Sequence, residues 1–317
     1  MIWIKSLVGD SMKPKVVVIV GPTASGKTAL SVKLAKKING EIISSDSMQV
    51  YKDMNIGTAK VTEEEKEGIE HYLVDFVSPN ERYTVSDFKK DAENAINKII
   101  EKNKIPIIVG GTGLYVNSII YNINYTDMEF DEEYRNELMD IAKTEEGLKR
   151  LYEKAREIDE VAANAISRND KKRIMRILEI YKATGKTKTE LEKESRKIDS
   201  PYEFYLFGIN IEREKLYEKI NRRVDLMVEK GLVDEVKTLL EKYDSFPTAM
   251  QGLGYKEVKE YLDGETSYND MIEKIKQESR RYAKRQMTWF RRNEGIIWLD
   301  GNNSLDENID IIIKNIG

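Results

Sequence analysis

The sequence predicts an α/β protein: a parallel β-sheet flanked by helices, with an all-helical domain inserted into the chain. Short β-branched runs alternate with helical segments between Val16 and Val109. From about 125 to 200 the chain is charged, helical in period and nearly free of proline and glycine. We therefore expect a core at 14–124 and 201–317, a helical insertion domain at 125–200, and a disordered or extended N-terminus at 1–13.

The first elements of the core follow from the apolar pattern. Residues 16–20 form a continuous apolar run, typical of a buried strand. A helix should follow and end at Gly40, with an apolar face formed by Leu30, Leu34, Ala35 and Ile38. Ile42 and Ile43 then begin a second strand.

Three more strands are predicted further along the chain, at 71–77, 105–109 and 205–209, and a helix at about 86–101 separates the first two. The chain after 209 is predicted to be mostly helical to about Asn293. Ligands of parallel sheets bind beyond the carboxyl ends of the strands. Three polar clusters fall there, at 21–28, 44–49 and 110–115.

The composition restricts the chemistry. Among 317 residues there is no cysteine and one histidine, His71, which excludes disulfides, thiol nucleophiles and Cys/His zinc sites. We interpret His71, at the start of a strand, as structural. A divalent metal would need oxygen ligands, which points to Mg²⁺ held with phosphates.

No apolar run approaches the roughly 20 residues that span a bilayer. We expect a cytoplasmic protein that does not contact the membrane, with Met12 as an alternative start.

The net charge of −4 hides a separation of charge into patches. Residues 127–140 are strongly acidic, whereas 168–176 and 271–293 are strongly basic. Because the distribution of charge matters more than its sum, nucleic acid remains a candidate partner.

The segment GPTASGKT at 21–28 fits the phosphate-loop pattern and lies between a predicted strand and helix, which is the context that supports it. Its glycines let backbone N–H groups wrap an anion, while Lys27 adds a positive charge and the Thr28 hydroxyl suits a magnesium ion. A tight turn explains the glycines but not the Gly-Lys-Thr ending. The core is thus predicted to be P-loop NTPase-like, and the phosphate contacts are assigned to Gly21, Thr23, Ala24, Ser25, Gly26, Lys27 and Thr28.

Two other polar clusters have both functional and purely structural interpretations. Asp46 follows the second strand, where its carboxylate could bind magnesium or accept a proton, or simply cap a polar turn. The segment GGTGLY at 110–115 follows another strand. Its Thr112 could act near Asp46, or the segment could be a plain glycine-rich turn capped by Thr112.

The basic run near the C-terminus predicts a helix with one charged stripe that contains Arg281, Arg285 and Arg292. A narrower apolar stripe runs beside it, formed by Ile275, Tyr282 and Trp289. Such a helix offers positive charge to RNA phosphates. A solvated face without a ligand is the alternative.

In this order the motifs resemble those of the bacterial tRNA dimethylallyltransferases, also called tRNA isopentenyltransferases. The similar stretches extend from about 16 to 292 and comprise GPTASGKT (21–28), DSMQVY (46–51), MNIGTAK (54–60), GGTGLY (110–115), NDKKRIMRILEIY (169–181), QGLGYKEV (251–258) and AKRQMTWFRR (283–292).

The resemblance implies a reaction and a role for individual residues. The phosphate loop would hold the pyrophosphate of dimethylallyl pyrophosphate, and Asp46 would be the general base that takes a proton from an adenine amine. Thr112 and an arginine that reaches the pyrophosphate, Arg223 with Arg222 as the alternative, would complete the catalytic group. The partner would be a tRNA anticodon stem-loop bound by a monomer; the expected contacts are Asp46, Ser47, Met48, Gln49, Thr112, Lys172, Arg173, Arg176, Gln251, Gly254, Tyr255, Lys256, Arg281 and Arg285.

Two other functions remain open from the residues alone. A small-molecule kinase could use ATP at the same phosphate loop, with residues 71–75 forming a strand that ends in a magnesium-binding aspartate, Asp75. A non-catalytic RNA-binding protein could retain the loop as a relic, although the intact Lys27, Thr28 and Asp46 count against it.

Overall fold

The computed structural model describes residues 13–123, 131–195 and 198–317. The predicted N-terminal extension lies almost wholly outside this part of the chain, as does the start of the acidic stretch. The chain divides into two compact units. The core unit comprises Met1–Val116 and Pro201–Gly317, and the helical unit comprises Asn117–Ser200.

The core unit contains a six-stranded sheet of order β3-β2-β4-β1-β5-β6, in which every neighbouring pair is parallel. The predicted parallel α/β fold is confirmed. The strands are β1 (Lys15–Val20), β2 (Gly40–Ser44), β3 (His71–Tyr72), β4 (Ile105–Gly110), β5 (Glu203–Asn210) and β6 (Ile297–Asp300).

Helices join these strands and form the helical unit. In chain order they are α1 (Lys27–Ile38), α2 (Glu63–Lys66), α3 (Val85–Glu101), α4 (Gly113–Ile120), α5 (Glu132–Ile141), α6 (Glu145–Ile158), α7 (Glu160–Asn164), α8 (Lys171–Thr184), α9 (Lys188–Ser195), α10 (Arg213–Glu229), α11 (Leu232–Lys242), α12 (Tyr255–Leu262), α13 (Tyr268–Phe290) and α14 (Leu305–Ile316), with a 3-10 turn at Ala249–Gln251. Within the described residues, none is both long and apolar enough to cross a membrane.

The hydrophobic core of the core unit is built on the central strand. All five residues from Val16 to Val20 are at most 2% exposed, so both faces of β1, which has a neighbouring strand on each side, are covered. On α1, Leu30 and Leu34 pack into this core as the pattern predicts. The helical unit has its own core, which includes Leu151, Ala155, Ile174 and Leu178.

Several predicted boundaries are wrong for identifiable reasons. The strand expected at 71–77 is limited to its first two residues, because Leu73 and Asp75 both have φ of 61°, which no strand allows. Helix α1 ends at Ile38 and is capped by Asn39, which is in the left-handed conformation, so Gly40 does not close the helix. Gly40 instead starts β2, where a Cβ would lie 2.7 Å from Ile107 Cδ1. Strand β6 and helix α14 are not predicted by the sequence pattern.

Candidate active site

The phosphate loop connects β1 to α1 at the carboxyl edge of the sheet. Gly26 has φ of 86°, a conformation that glycine adopts without strain and that lets the chain turn into α1. The Lys27 ammonium lies over the loop and donates to the Pro22 carbonyl at 2.6 Å. Burial and the nearby Arg223 lower the pKa of Lys27 to about 7, and Asp46 opposes this shift. The loop therefore presents a desolvated cation that an anionic ligand would stabilise.

Asp46 lies two residues after the end of β2 and faces the same crevice. Its Oδ1 accepts hydrogen bonds from the backbone N–H groups of Met48 at 2.9 Å and Gln49 at 3.3 Å, so the carboxylate does cap a polar turn. Within the described chain these are its only hydrogen bonds, which leaves Oδ2 to a ligand in the cavity. The structural and functional interpretations of this residue are thus compatible.

Thr112 links the loop after β4 to the turn after β2. Its Oγ1 accepts from the Ser47 backbone N–H at 3.1 Å, and its own N–H donates to the Ser45 carbonyl at 3.2 Å. Tyr282 of α13 lies nearby, and burial together with the Asp46 carboxylate raises the pKa of its hydroxyl to about 12. Thr112 is therefore held against the turn that carries Asp46, at the strand ends where the sequence places both residues.

The structure distinguishes the two neighbouring arginines of α10. Arg223 lines the cavity and donates to the Thr58 carbonyl at 3.3 Å, whereas Arg222 is exposed and lies outside the cavity. Burial lowers the pKa of Arg223, and the Asp46 carboxylate counteracts this shift. Gln49 Nε2 donates to the same Thr58 carbonyl at 3.3 Å, so this carbonyl orients two cavity side chains.

Glu235, which the sequence analysis missed, holds the loop that carries Thr58. Its carboxylate accepts three consecutive backbone N–H groups, from Asn55 at 2.9 Å, Ile56 at 2.7 Å and Gly57 at 3.1 Å. It also accepts the Tyr255 hydroxyl at 2.6 Å. Multiple hydrogen bonds to one carboxylate are strong and directional, so Glu235 fixes the backbone whose carbonyl meets Arg223.

The phosphate loop, Asp46 and Arg223 share one cavity of about 790 Å³. Its wall includes most of the predicted site residues of the core unit: Thr23, Ala24, Ser25, Gly26, Lys27, Thr28, Asp46, Ser47, Met48, Gln49, Arg223, Gln251, Gly254, Tyr255, Lys256 and Arg285. Gly21 belongs to the loop but not to this wall, and neither does Thr112 or Arg281.

The predicted tRNA contacts differ in accessibility. Gln251, Lys256 and Arg285 are exposed and can meet a large ligand. Tyr255 is 0% exposed and its hydroxyl is bound to Glu235, so its side chain supports this surface from within rather than contacting RNA. Gly254 is buried too, with φ of 94° and its N–H donated to Glu257 at 2.7 Å. The positive φ that the turn before α12 requires at this position explains the glycine without a contact to RNA.

The basic residues predicted in the helical unit lie on α8. Lys172, Arg173 and Arg176 are exposed, and the two arginines pair with Asp170 at 3.3 Å and Glu179 at 3.8 Å. On α13, Arg281 is exposed and pairs with Glu278 at 2.5 Å. The arginine of each pair is at least half exposed, so a phosphate can still compete for the cation.

Helix α13 buries a wider stripe than the sequence suggests. Ile275 is buried, but Tyr282 and Trp289 are only partly so. The remaining buried positions are Met271, Ser279, Ala283, Gln286, Met287 and Phe290. Gln286 is the unexpected member, since a buried glutamine needs partners for both ends of its amide. Gln286 lies four residues after Tyr282, on the same helical face, and this spacing could have predicted from the sequence that it is buried.

The cavity wall carries side-chain oxygen atoms that could contact a metal ion bound together with phosphate. Thr28 Oγ1 and Asp46 Oδ2 are available, and the described residues contain no group of three His, Cys, Asp or Glu side chains that could hold a metal ion. This donor set fits Mg²⁺ bound chiefly through phosphate and water oxygens, and it does not fit a metal held by protein alone.

Comparison with known proteins agrees with the motifs. Residues 49–293 match the family described as IPP transferase. The chain is 52% identical over 302 residues to the tRNA dimethylallyltransferase of Acetivibrio thermocellus, a match that covers 95% of this chain and 96% of that protein.

Solved structures with the same fold give a consistent result. The full-length tRNA isopentenylpyrophosphate transferase from Bacillus halodurans has a TM-score of 0.72 and 45% identity, with 96% of each chain covered. A eukaryotic dimethylallyltransferase acting on tRNA has a TM-score of 0.81 and 33% identity, covering 96% of this chain and 79% of that one. The resemblance drawn from the motifs is confirmed: this chain belongs to the IPP transferase family of tRNA dimethylallyltransferases.

Proposed function

We propose that this protein transfers a dimethylallyl group from dimethylallyl pyrophosphate to the exocyclic amine of the adenosine 3′-adjacent to the anticodon in tRNA, giving isopentenyladenosine. The observation that carries the proposal is the convergence of the phosphate loop, Arg223 and Asp46 on one cavity. Lys27 and Arg223 are both desolvated cations there, which suits the pyrophosphate of the donor. The free Asp46 oxygen suits the acceptor amine.

The reaction is an in-line displacement at the first carbon of the dimethylallyl group. The amine nitrogen forms a bond to this carbon while the carbon–oxygen bond to pyrophosphate breaks. Asp46 accepts the proton that the amine loses, and Lys27 and Arg223 stabilise the charge that develops on the departing pyrophosphate. The adenine must leave its stack to enter the cavity.

Magnesium is proposed as the cofactor. The Thr28 hydroxyl, at the start of α1, would hold it together with donor phosphate oxygens, and the bound ion would supply further neutralisation of the pyrophosphate.

For tRNA we propose contacts on both units. Exposed Gln251, Lys256 and Arg285 border the cavity, and Arg281 extends the positive charge along α13. The basic face of α8 would bind other phosphates of the anticodon stem-loop. We further propose that the protein acts in the cytoplasm as a monomer, a state that light scattering coupled to gel filtration would test.

The kinase alternative loses the residue on which it depended. Asp75 does not end a strand, is absent from the cavity wall and pairs with Lys60 at 2.5 Å. Its carboxylate is thus directed to a structural lysine rather than to a nucleotide metal. Thermal shifts with dimethylallyl pyrophosphate and with ATP compare the two donors directly.

The deciding experiment incubates unmodified tRNA with labelled dimethylallyl pyrophosphate and magnesium, followed by nucleoside analysis. Arg223→Ala should lower the rate by roughly a hundredfold, the typical effect of removing one donor that stabilises developing charge. Arg222→Ala is the matched control, because it removes an exposed guanidinium from the adjacent position. Absence of isopentenyladenosine with the parent enzyme, or equal effects of both substitutions, would contradict the proposal.

A further inference from the structure

Gln286 joins two loops of the active site. Its side-chain oxygen accepts from the Thr23 backbone N–H at 3.0 Å, and its Nε2 donates to the Gly111 carbonyl at 3.0 Å. The residue is 6% exposed, so solvent does not compete for either bond. One amide thus connects the phosphate loop to the loop that follows β4.

The contact between α13 and the second loop is close. A Cβ at Gly111 would lie 2.1 Å from Gln286 Nε2, and a Cβ at Gly113 would lie 2.2 Å from Trp289 Cδ1. The helix therefore rests directly on the Gly111–Gly113 backbone. Thr112, between these glycines, in turn holds the backbone of Ser47. A continuous set of hydrogen bonds leads from the donor loop to the turn capped by Asp46.

We propose that Gln286 is a positioning residue for the transfer reaction. It sets the distance between the pyrophosphate loop and the Asp46–Thr112 pair, and hence the distance between the donor carbon and the acceptor amine. This inference rests on the proposed function. Reacting atoms must approach to about 3–3.5 Å in line, and a displacement of about 1 Å can lower a rate by a hundredfold.

The chemistry of the bridge requires an amide. One end must accept from an N–H and the other must donate to a C=O, which glutamine does with a single planar group. A glutamate retains the acceptor for Thr23 but has no donor for Gly111, and it adds negative charge beside the pyrophosphate site. Methionine has a similar length but can neither accept the Thr23 hydrogen bond as an amide oxygen does nor donate to the Gly111 carbonyl.

The test compares Gln286→Met with Gln277→Met, an identical change at an exposed position of the same helix. We expect Gln286→Met to lower the single-turnover rate constant by about ten- to a hundredfold at saturating substrates, with donor and tRNA affinities changed less than threefold. Gln277→Met should match the parent. If Gln286 were only structural, Gln286→Met would lower the melting temperature and the fraction of active enzyme, while the rate constant of the folded enzyme would stay within twofold of the parent. That result would overturn the proposal.

Gly111→Ala breaks the bridge from its other side. Because the added methyl group displaces only the flexible amide end of Gln286, this variant should fold and show a similar loss of rate. Gln286→Ala and the double variant Gly111→Ala/Gln286→Ala complete the cycle: the loss in the double variant should not exceed that of Gln286→Ala alone, since the same bridge is removed twice. Additive losses would refute a shared bridge.

Hydrogen exchange tests the bridge without the reaction. Peptides that contain the Thr23 amide and the 110–113 loop should exchange faster in Gln286→Met than in the parent or in Gln277→Met. Unchanged exchange would overturn the positioning role even in an active enzyme. If the parent enzyme forms no isopentenyladenosine but exchange is still faster in Gln286→Met, the proposed function is contradicted and the bridge is not.

Discussion

Replacing Asp46 by asparagine should separate proton transfer from every other role of this side chain. Asp46 Oδ1 accepts from the backbone N–H groups of Met48 and Gln49, and an asparagine carbonyl can accept both. The turn should therefore persist, at a cost of about 1 kcal/mol for replacing charge-assisted by neutral hydrogen bonds. The other oxygen becomes an NH₂ group, which cannot take a proton from the acceptor amine.

The expected loss of rate follows from the nucleophile. The lone pair of an adenine amine is delocalised into the ring, so attack gains from proton removal as the new bond forms. General bases contribute roughly a hundred- to ten-thousandfold. We therefore expect Asp46→Asn to lower the single-turnover rate by at least about a hundredfold, which corresponds to about 2.7 kcal/mol. A Thr112→Ala enzyme should lose less, because Thr112 positions the turn and does not accept the proton.

The assay is single-turnover product formation with saturating tRNA and donor, alongside separate binding measurements. Asp53→Asn is the matched control, since Asp53 bonds Lys242 and Tyr243 and does not line the cavity. The carboxylate of Asp46 also opposes the lowering of the Lys27 pKa, so donor affinity needs its own measurement. An Asp46→Asn enzyme within about tenfold of the parent rate would show that Asp46 is not the general base.

Three more changes test the surrounding structure. Lys27→Ala should weaken donor binding and leave tRNA affinity nearly intact by calorimetry; equal losses would show that the phosphate loop is structural. Glu235→Gln should lower the free energy of unfolding in urea by about 2 kcal/mol, because it places an NH₂ group against backbone N–H groups. Unchanged stability would show that the 54–60 loop needs no carboxylate. Neutralising Arg281 and Arg285 together should flatten the slope of log tRNA affinity against log salt by up to about two units. An unchanged slope would remove this part of α13 from the interface.

The sheet and the phosphate loop could be predicted because their signals are local. The run at 16–20 is apolar throughout, as a central parallel strand requires, and the spacing of Gly21, Gly26 and Lys27 is complete within eight residues. The order of strands and helices then brings Asp46 and Thr112 to one edge. Local patterns and a general rule of topology were sufficient for this part of the site.

The same local patterns do not predict structure that depends on unusual backbone conformation or on contacts between residues distant in sequence. The run at 71–77 looks like a strand, but the positive φ angles of Leu73 and Asp75 have no signal in residue type. Strand β6 has four residues, of which only Leu299 is buried, so its apolar pattern is too short to detect. The role of Glu235 depends on the N–H groups of a loop far away in sequence, which no periodicity reports.

The segment GGTG at 110–113 shows why a motif alone did not identify its own function. Two explanations were open, a Thr112 that acts near Asp46 or a plain glycine-rich turn, and the structure gives the glycines a further reason. A Cβ at Gly110 would lie 2.4 Å from Ser45 Oγ, and those at Gly111 and Gly113 would meet Gln286 and Trp289. Each of the three glycines thus makes room for another part of the protein: the end of β2 or the helix α13. Gly111 and Gly113 are required because α13 must lie close enough for Gln286 to reach both loops, so GGTGLY and AKRQMTWFRR together form one contact.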